Sequence, residues 1–177
     1  MNAIVLYKSK YGSTKTYAKW IAEELSCEAK DAKGVKIDDL LSYDTIIYGG
    51  GLYANLVNGL DFITKNIDRL SGKKLIVFAV GITPVHCKEY IEGYLIEKNF
   101  KPELRDKIPF FYFLGKMKKE ELTLPHRTAL KTLKKIMGGK ENPTEMERLL
   151  LDLCDVDDDF TDRNAIFDLV TYAKSEE

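Results

Sequence analysis

The chain has 177 residues, 45% of them hydrophobic and 31% charged, with a formal net charge of −1. That length supports one domain with a full core, the composition is that of an ordinary globular protein, and no apolar run reaches the roughly 18–20 residues that a bilayer crossing needs. Cys27, Cys87 and Cys154 lie far apart and share no ligand spacing with the two histidines. Neither a zinc site nor a disulfide framework is expected, and a reducing cytoplasm is.

The opening run Ala3–Tyr7 is apolar and nearly continuous, the pattern of a strand covered on both faces rather than of a leader peptide. After the loop Ser9-Lys10-Tyr11-Gly12-Ser13-Thr14, the segment Thr16–Leu25 sets Ala18, Ile21, Ala22 and Leu25 on one helical face. Glu28–Ala32 reads as a second, edge strand and Val35–Leu41 as a short helix. Thr45–Tyr48 reads as a strand ended by Gly49-Gly50-Gly51, and Gly59–Leu70 as a helix with Leu60, Ile63, Ile67 and Leu70 on one side. Leu75–Val80 is a strand halted by Gly81, after which Thr83-Pro84 offers an N-cap and first-turn proline for a helix through Lys98. Ile108–Leu114 is the last strand. A helix over Leu124–Met137 follows, started by Thr123 or Leu124 before Pro125 and stopped by Gly138, then an acidic stretch and a closing helix over Arg163–Lys174.

Alternation of strands with helices implies an α/β fold, a parallel sheet of five strands with helices on both faces, because each parallel crossover needs a dozen or more residues. No repeat or low-complexity linker divides the chain, so one domain over residues 1–177 is expected, with a basic helix and acidic insertion over 116–162 inside it. Ligands of such sheets sit at the carboxyl ends of the strands. The loops Lys8–Thr14, Gly49–Asn58 and Gly81–Thr83 all follow strands and would gather on that edge.

The first loop suits a phosphate monoester. A helix start presents unpaired N–H groups and the positive end of the helix dipole. Gly12 allows close backbone approach, while Ser9, Ser13 and Thr14 add hydroxyl donors. Gly12 is the loop's one glycine and no G-x-x-x-x-G-K-[ST] is present, so this is no Walker A motif. Gly49-Gly50-Gly51-Leu52-Tyr53-Ala54 matches the dinucleotide pattern G-x-G-x-x-G/A in form only. It follows the wrong strand and its acidic follow-on falls inside a helix.

Ser9-Lys10-Tyr11-Gly12-Ser13-Thr14 resembles the flavodoxin phosphate loop, [ST]-x-[ST]-G-x-[ST]. The resemblance implies a flavodoxin-like sheet of order 2-1-3-4-5, noncovalent FMN and electron transfer. By position, Ser9, Lys10, Tyr11, Gly12, Ser13 and Thr14 would hold the phosphate; Gly50, Gly51, Leu52 and Tyr53 would line one side of the flavin ring, and Val80, Gly81 and Ile82 the other. Tyr11 stands where a small hydroxyl residue is usual, so its ring must point elsewhere. The segments "FFYFLGKMKKEEL", "LPHRTALKTLKKIMGGK" and "DFTDRNAIFDLV" resemble the menaquinone-dependent protoporphyrinogen oxidases, which implies a quinone partner and a porphyrin substrate. The stretch Lys140–Asp159 departs from that pattern. A one-electron carrier and a non-enzymatic interaction module are the competing readings.

Charge is unevenly spread. Residues 116–140 hold eight Lys and Arg against two Asp and Glu, and residues 141–177 hold three against twelve. On the predicted basic helix, Arg127, Lys131, Lys134 and Lys135 project away from the apolar side. They could meet the inner face of an anionic membrane, an acidic partner, the propionates of a porphyrin, or the chain's own acidic tail. The loop after Gly81 offers no aromatic residue for the second flavin face, which leaves room for a flat substrate or quinone. His86 lies beside it as the candidate proton relay, and His126 reads as a surface residue. Trp20 and the tyrosines read as core and rim rather than a stacking platform for nucleic acid.

Overall fold

The computed structural model describes residues 2–175, the side chains at 145, 146 and 150 excepted. Five parallel strands form the central sheet: β1 (Ala3–Lys8), β2 (Glu28–Asp31), β3 (Thr45–Tyr53), β5 (Lys74–Gly81) and β6 (Phe110–Leu114). A two-residue strand, β4 (Leu56–Val57), turns back antiparallel on the end of β3. The spatial order is β2-β1-β3-β5-β6, so the five long strands follow the 2-1-3-4-5 arrangement.

Side-chain alternation along the strands builds two cores. Ile4, Leu6, Ile46, Tyr48, Val77 and Ala79 face one way, against Leu40, Leu60, Ile63, Leu70, Phe100 and Leu104. Val5, Tyr7, Ile47, Ile76, Phe78 and Val80 face the other way, under Tyr17, Ala18, Ile21 and Leu25 of helix α1 (Ser13–Leu25) and Leu169, Val170 and Ala173 of the last helix. This two-sided burial is why β1 and β5 read as unbroken apolar runs. Fully burying one such Leu, Ile or Phe contributes roughly 1.5–3 kcal/mol.

Four expected boundaries are corrected. β3 does not end at Tyr48 but runs through all three glycines to Tyr53. A Cβ on Gly49 would lie 2.0 Å from Cζ of Phe78, and one on Gly50 would lie 2.6 Å from a γ-methyl of Val57. The missing side chains therefore make room for neighbours, the use of strand glycine that allows close approach. The helix expected from Thr83 begins later. Residues 82–83 form a bend and 85–86 a turn, and a π-helical segment Glu89–Leu95 leads into α3 (Ile96–Asn99). Thr83 is buried, and its carbonyl accepts a hydrogen bond from the Tyr112 hydroxyl at 3.0 Å, which ties the chain back to β6 instead of starting a helix.

Gly59–Leu70 is shorter in helix than expected. It holds α2 (Asp61–Thr64) and a 3₁₀ turn (Ile67–Leu70). Val35–Leu41 likewise holds only a 3₁₀ turn, Ile37–Leu40. The short helix α4 (Pro102–Arg105) precedes β6.

Beyond β6 the chain leaves the sheet. β7 (Lys116–Met117) leads to α5 (Leu124–Gly138), then α6 (Glu145–Asp155), and β8 (Asp158–Asp159) returns to pair antiparallel with β7. A 3₁₀ turn, Arg163–Ile166, and α7 (Phe167–Lys174) close the fold against α1. None of the α5 side chains is fully buried; the helix lies across the carboxyl edge of the sheet rather than in either core. Among the described residues no helix is long and apolar enough to cross a membrane.

Candidate functional site

Register brings the three special loops together. Lys8 pairs beside Gly50, Gly51 beside Val80, and Gly81 beside Leu114, so β1, β3, β5 and β6 end along one edge. A cavity of about 360 Å³ opens there, within the usual size of a small-molecule cleft.

Its floor is the start of α1. Gly12 takes φ +97°, a left-handed dihedral that glycine adopts without Cβ strain. The first α1 bond runs from Thr16 N–H to the Gly12 carbonyl at 3.0 Å, and no side chain caps the helix. The Ser13, Thr14 and Lys15 amides therefore lack intrahelical partners. Thr14 is 3% exposed as a residue and lines the cavity; no buried side-chain oxygen among the described residues is left without a partner, so its hydroxyl, which bonds no described residue, opens onto the cavity. A hydroxyl that opens onto a cleft can donate to and accept from a ligand there. Ser13 Oγ accepts from the Lys116 N–H at 3.0 Å and keeps its own proton to donate. Ser9 differs: its Oγ accepts from the Gly12 N–H at 3.1 Å, so that pair is turned inward.

Walls rise from the other loops. Gly51, Leu52 and Tyr53 lie on one side, and Val80, Gly81 and Ile82 on the other. Ala54 and Asn55 both take left-handed dihedrals, φ 49° and 66°, which makes the tight β3–β4 turn and holds Tyr53 at the rim. Burial pushes the Tyr53 hydroxyl up to about 12, with Tyr11 nearby adding to the shift.

Of the residues expected here, Ser9, Tyr11, Ser13, Thr14, Gly51, Leu52, Tyr53, Val80, Gly81 and Ile82 line the cavity, while Lys10, Gly12 and Gly50 do not. Lys10 reaches out to Thr123 Oγ1 at 3.4 Å. Gly12 shapes the turn without forming a wall. Gly50 faces Val57 and Asn58 of the β4 hairpin.

His86 is exposed and is not among the lining residues; the imidazole at the cavity is His126, contributed by α5. Tyr11 and His126 hydrogen-bond at 2.6 Å, and the Tyr53 ring lies 5.0 Å from the imidazole at 34°. Desolvation, and then the Lys10 charge, hold the His126 pKa below its ordinary 6.5. His126, Ala129 and Leu130 turn toward the cavity, so α5 covers the opening. A neighbouring apolar cleft of about 830 Å³ shares Ala54, Ala129 and Leu130 and is walled by Tyr90 and Tyr94, stacked at 5.7 Å. Periodicity marks α5 as amphipathic without saying which element its apolar side meets, so sequence reasoning missed this cover.

The basic helix is partly spoken for. Lys134 is paired with Asp155 of α6 at 2.6 Å, and the Arg127 guanidinium donates to the carbonyls of Lys119 and Leu122, both at 3.3 Å. Lys140 pairs with Glu147. Two of the four cations offered for a membrane, porphyrin or acidic partner thus meet the chain's own loop and acidic segment; Lys131 and Lys135 are exposed. Glu176 and Glu177, the end of that acidic tail, lie outside the described residues.

Chemically, the cavity offers amide and hydroxyl donors at its floor and a largely apolar slot above. That combination accepts an anionic head with an apolar body. The "Flavodoxin domain" family model matches residues 4–144. The chain belongs to the flavodoxin-domain family. An uncharacterized protein of Methanocaldococcus jannaschii is 32% identical over 111 residues, covering 61% of this chain and 66% of that protein, so the match spans just under two thirds of the relative. Among solved structures, a flavodoxin from the domain Archaea is similar at 17% identity, covering 88% of this chain and 97% of that one, with a TM-score of 0.41. Flavodoxin 1 of Bacillus cereus is 22% identical, covering 68% and 89%, with a TM-score of 0.47. Both likenesses are distant, and membership rests on the family model.

Proposed function

We propose that the protein binds FMN noncovalently at this cavity and transfers electrons through it. The observation that carries the reading is the Thr14 hydroxyl, opening onto the cavity beside the uncapped start of α1, at the floor of a largely apolar slot. The group fits the residues present. Ser13, Thr14 and the first-turn amides would hold the phosphate, Tyr53 with Gly51 and Leu52 would take one side of the ring, and Val80, Gly81 and Ile82 the other. When bound, FMN supplies the redox chemistry; the protein supplies position, exclusion of water and local polarity.

The chain's own residues would do three things. The helix start and hydroxyls neutralise and fix the anionic head. Tyr53 presents an aromatic face to the ring. α5, held at His126, shields the slot from water.

Titration of the purified protein with FMN, followed by flavin fluorescence and the visible spectrum, tests this reading. Saturable one-to-one binding is expected; a colourless protein that ignores FMN favours the interaction-module alternative instead.

A second reading, a two-electron oxidoreductase acting on a flat small molecule, is favoured by the apolar cleft between α5 and the Tyr90–Tyr94 pair. A quinone suits such a cleft. A porphyrin substrate like that of the protoporphyrinogen oxidases gains less support, because Arg127 and Lys134 are engaged within the chain. An anaerobic assay with protoporphyrinogen and a quinone separates the readings: turnover supports the enzyme, and electron exchange with a reductase alone supports the carrier.

A further inference from the structure

One cation at the cavity has no part in the reading so far. Lys116 opens β7, separated from β6 by Gly115 alone, and its N–H bond to Ser13 Oγ fastens residue 116 against the first turn of α1. Its side chain lines the same cavity as Ser13 and Thr14. Its Cε lies 3.9 Å from where a Cβ on Gly12 would stand, so the stem runs in contact distance beside the turn at Gly12. Lys10, the loop's own lysine, points outward to Thr123 and lines no part of the cavity.

The Lys116 ammonium is held by Glu121, with Nζ 3.0 Å from one carboxylate oxygen and 2.9 Å from the other. The two side chains are 25% and 41% exposed, so the pair is neither locked in the core nor fully solvated and can exchange partners. Such half-exposed pairs are weak.

We propose that Lys116 is the counter-cation of the phosphate, and that Glu121 is its resting partner. This inference rests on the FMN reading and adds a residue that the loop motif does not contain. On binding, the ammonium leaves a single carboxylate for a phosphate dianion that is also gripped by the α1 amides. The charge-assisted bond it gains is stronger than a neutral one. Glu121 is then a competitor: it steadies the lysine in the free protein and lowers the apparent affinity for the phosphate. The head group, not the ring, is what this pair senses.

Titrations of the full chain with FMN and with riboflavin, which lacks the phosphate, test the proposal. Lys116→Gln is expected to weaken FMN binding about tenfold while leaving riboflavin unchanged, as loss of a charged hydrogen bond implies. Glu121→Gln is expected to strengthen FMN binding by a few-fold, again with riboflavin unchanged. FMN affinity of the unaltered protein should also fall more steeply with salt than that of Lys116→Gln. An unaltered FMN-to-riboflavin preference in Lys116→Gln overturns the proposal. Should that variant fail to fold, Glu121→Gln decides alone: unchanged or weaker FMN binding overturns it. Failure of the wild-type chain to bind FMN at all is a different result, and it removes the cofactor reading itself.

Discussion

Tyr11 and His126, 115 residues apart in the chain, meet through a 2.6 Å hydrogen bond between the phenol oxygen and Nδ1. The Thr123 N–H also donates to the Tyr11 oxygen at 3.3 Å, so the phenol ties the first loop to the start of α5. The ring that the loop motif could not accommodate thus closes the helix over the cavity.

Tyr11→Phe should loosen that closure without disturbing either core. A partly exposed hydrogen bond is worth about 0.5–1.5 kcal/mol, so the opening equilibrium of α5 should rise about two- to tenfold. Hydrogen exchange over residues 124–138 measures it. Protection equal to that of the unaltered protein would show that α5 is held by its packing on α6 alone.

The same closure should weaken in acid. The His126 pKa is lowered in the folded chain by desolvation and by Lys10, so the closed state favours the neutral imidazole. The unfolded or open state then binds more protons, and stability rises with pH across that window. The contribution is fully present above the ordinary value of 6.5 and is lost as pH falls through the lower native value. The groups beside the ring are Lys10, Tyr11 and Tyr53. Exchange over 124–138 should therefore be better protected at neutral pH than in mild acid, after correction for intrinsic rates, and this difference should vanish in His126→Gln.

Thr14→Val probes the phosphate floor more cleanly than a substitution at Gly12, whose φ of +97° strains any other residue. The replacement keeps shape and removes the hydroxyl that opens onto the cavity. FMN affinity should fall about tenfold, the scale of a hydrogen bond to a charged group, with riboflavin affinity unchanged. Parallel loss for both ligands would place the hydroxyl away from the phosphate.

Gly49→Ala tests why β3 runs through its glycines. Its Cβ would stand 2.0 Å from the Phe78 ring, so overpacking should cost about 1–3 kcal/mol or more. For a chain of this size that lowers Tm by at least a few degrees, at about 2–4 °C per kcal/mol. Adding Phe78→Leu should restore part of the loss; thermal unfolding of the single and double variants checks it.

How much was readable depended on whether the signal was local. β1 and β5 are covered on both faces, so their apolar runs stood out, and the hydroxyl-glycine loop between β1 and α1 carried its own chemistry. The sequence pattern ends β3 at Tyr48, because glycine disfavours strands. What keeps it extended is long-range: Phe78 and Val57 fill the space of absent side chains. Thr83-Pro84 had the local form of a helix start, but Tyr112 captures the Thr83 carbonyl from another strand. The α5 pattern was plain, yet its placement over the cavity depends on Tyr11, and no periodicity links residues 11 and 126. The two-residue strands β7 and β8 are too short to leave any pattern.

A crystal structure of the chain with FMN tests the central claim most directly. The account predicts phosphate oxygens within hydrogen-bonding distance of the Ser13 and Thr14 hydroxyls and the first-turn amides of α1, with the ring between Tyr53 and the Gly81 loop. FMN bound with its phosphate elsewhere, or a first loop closed on itself with no flavin beside it, would contradict it.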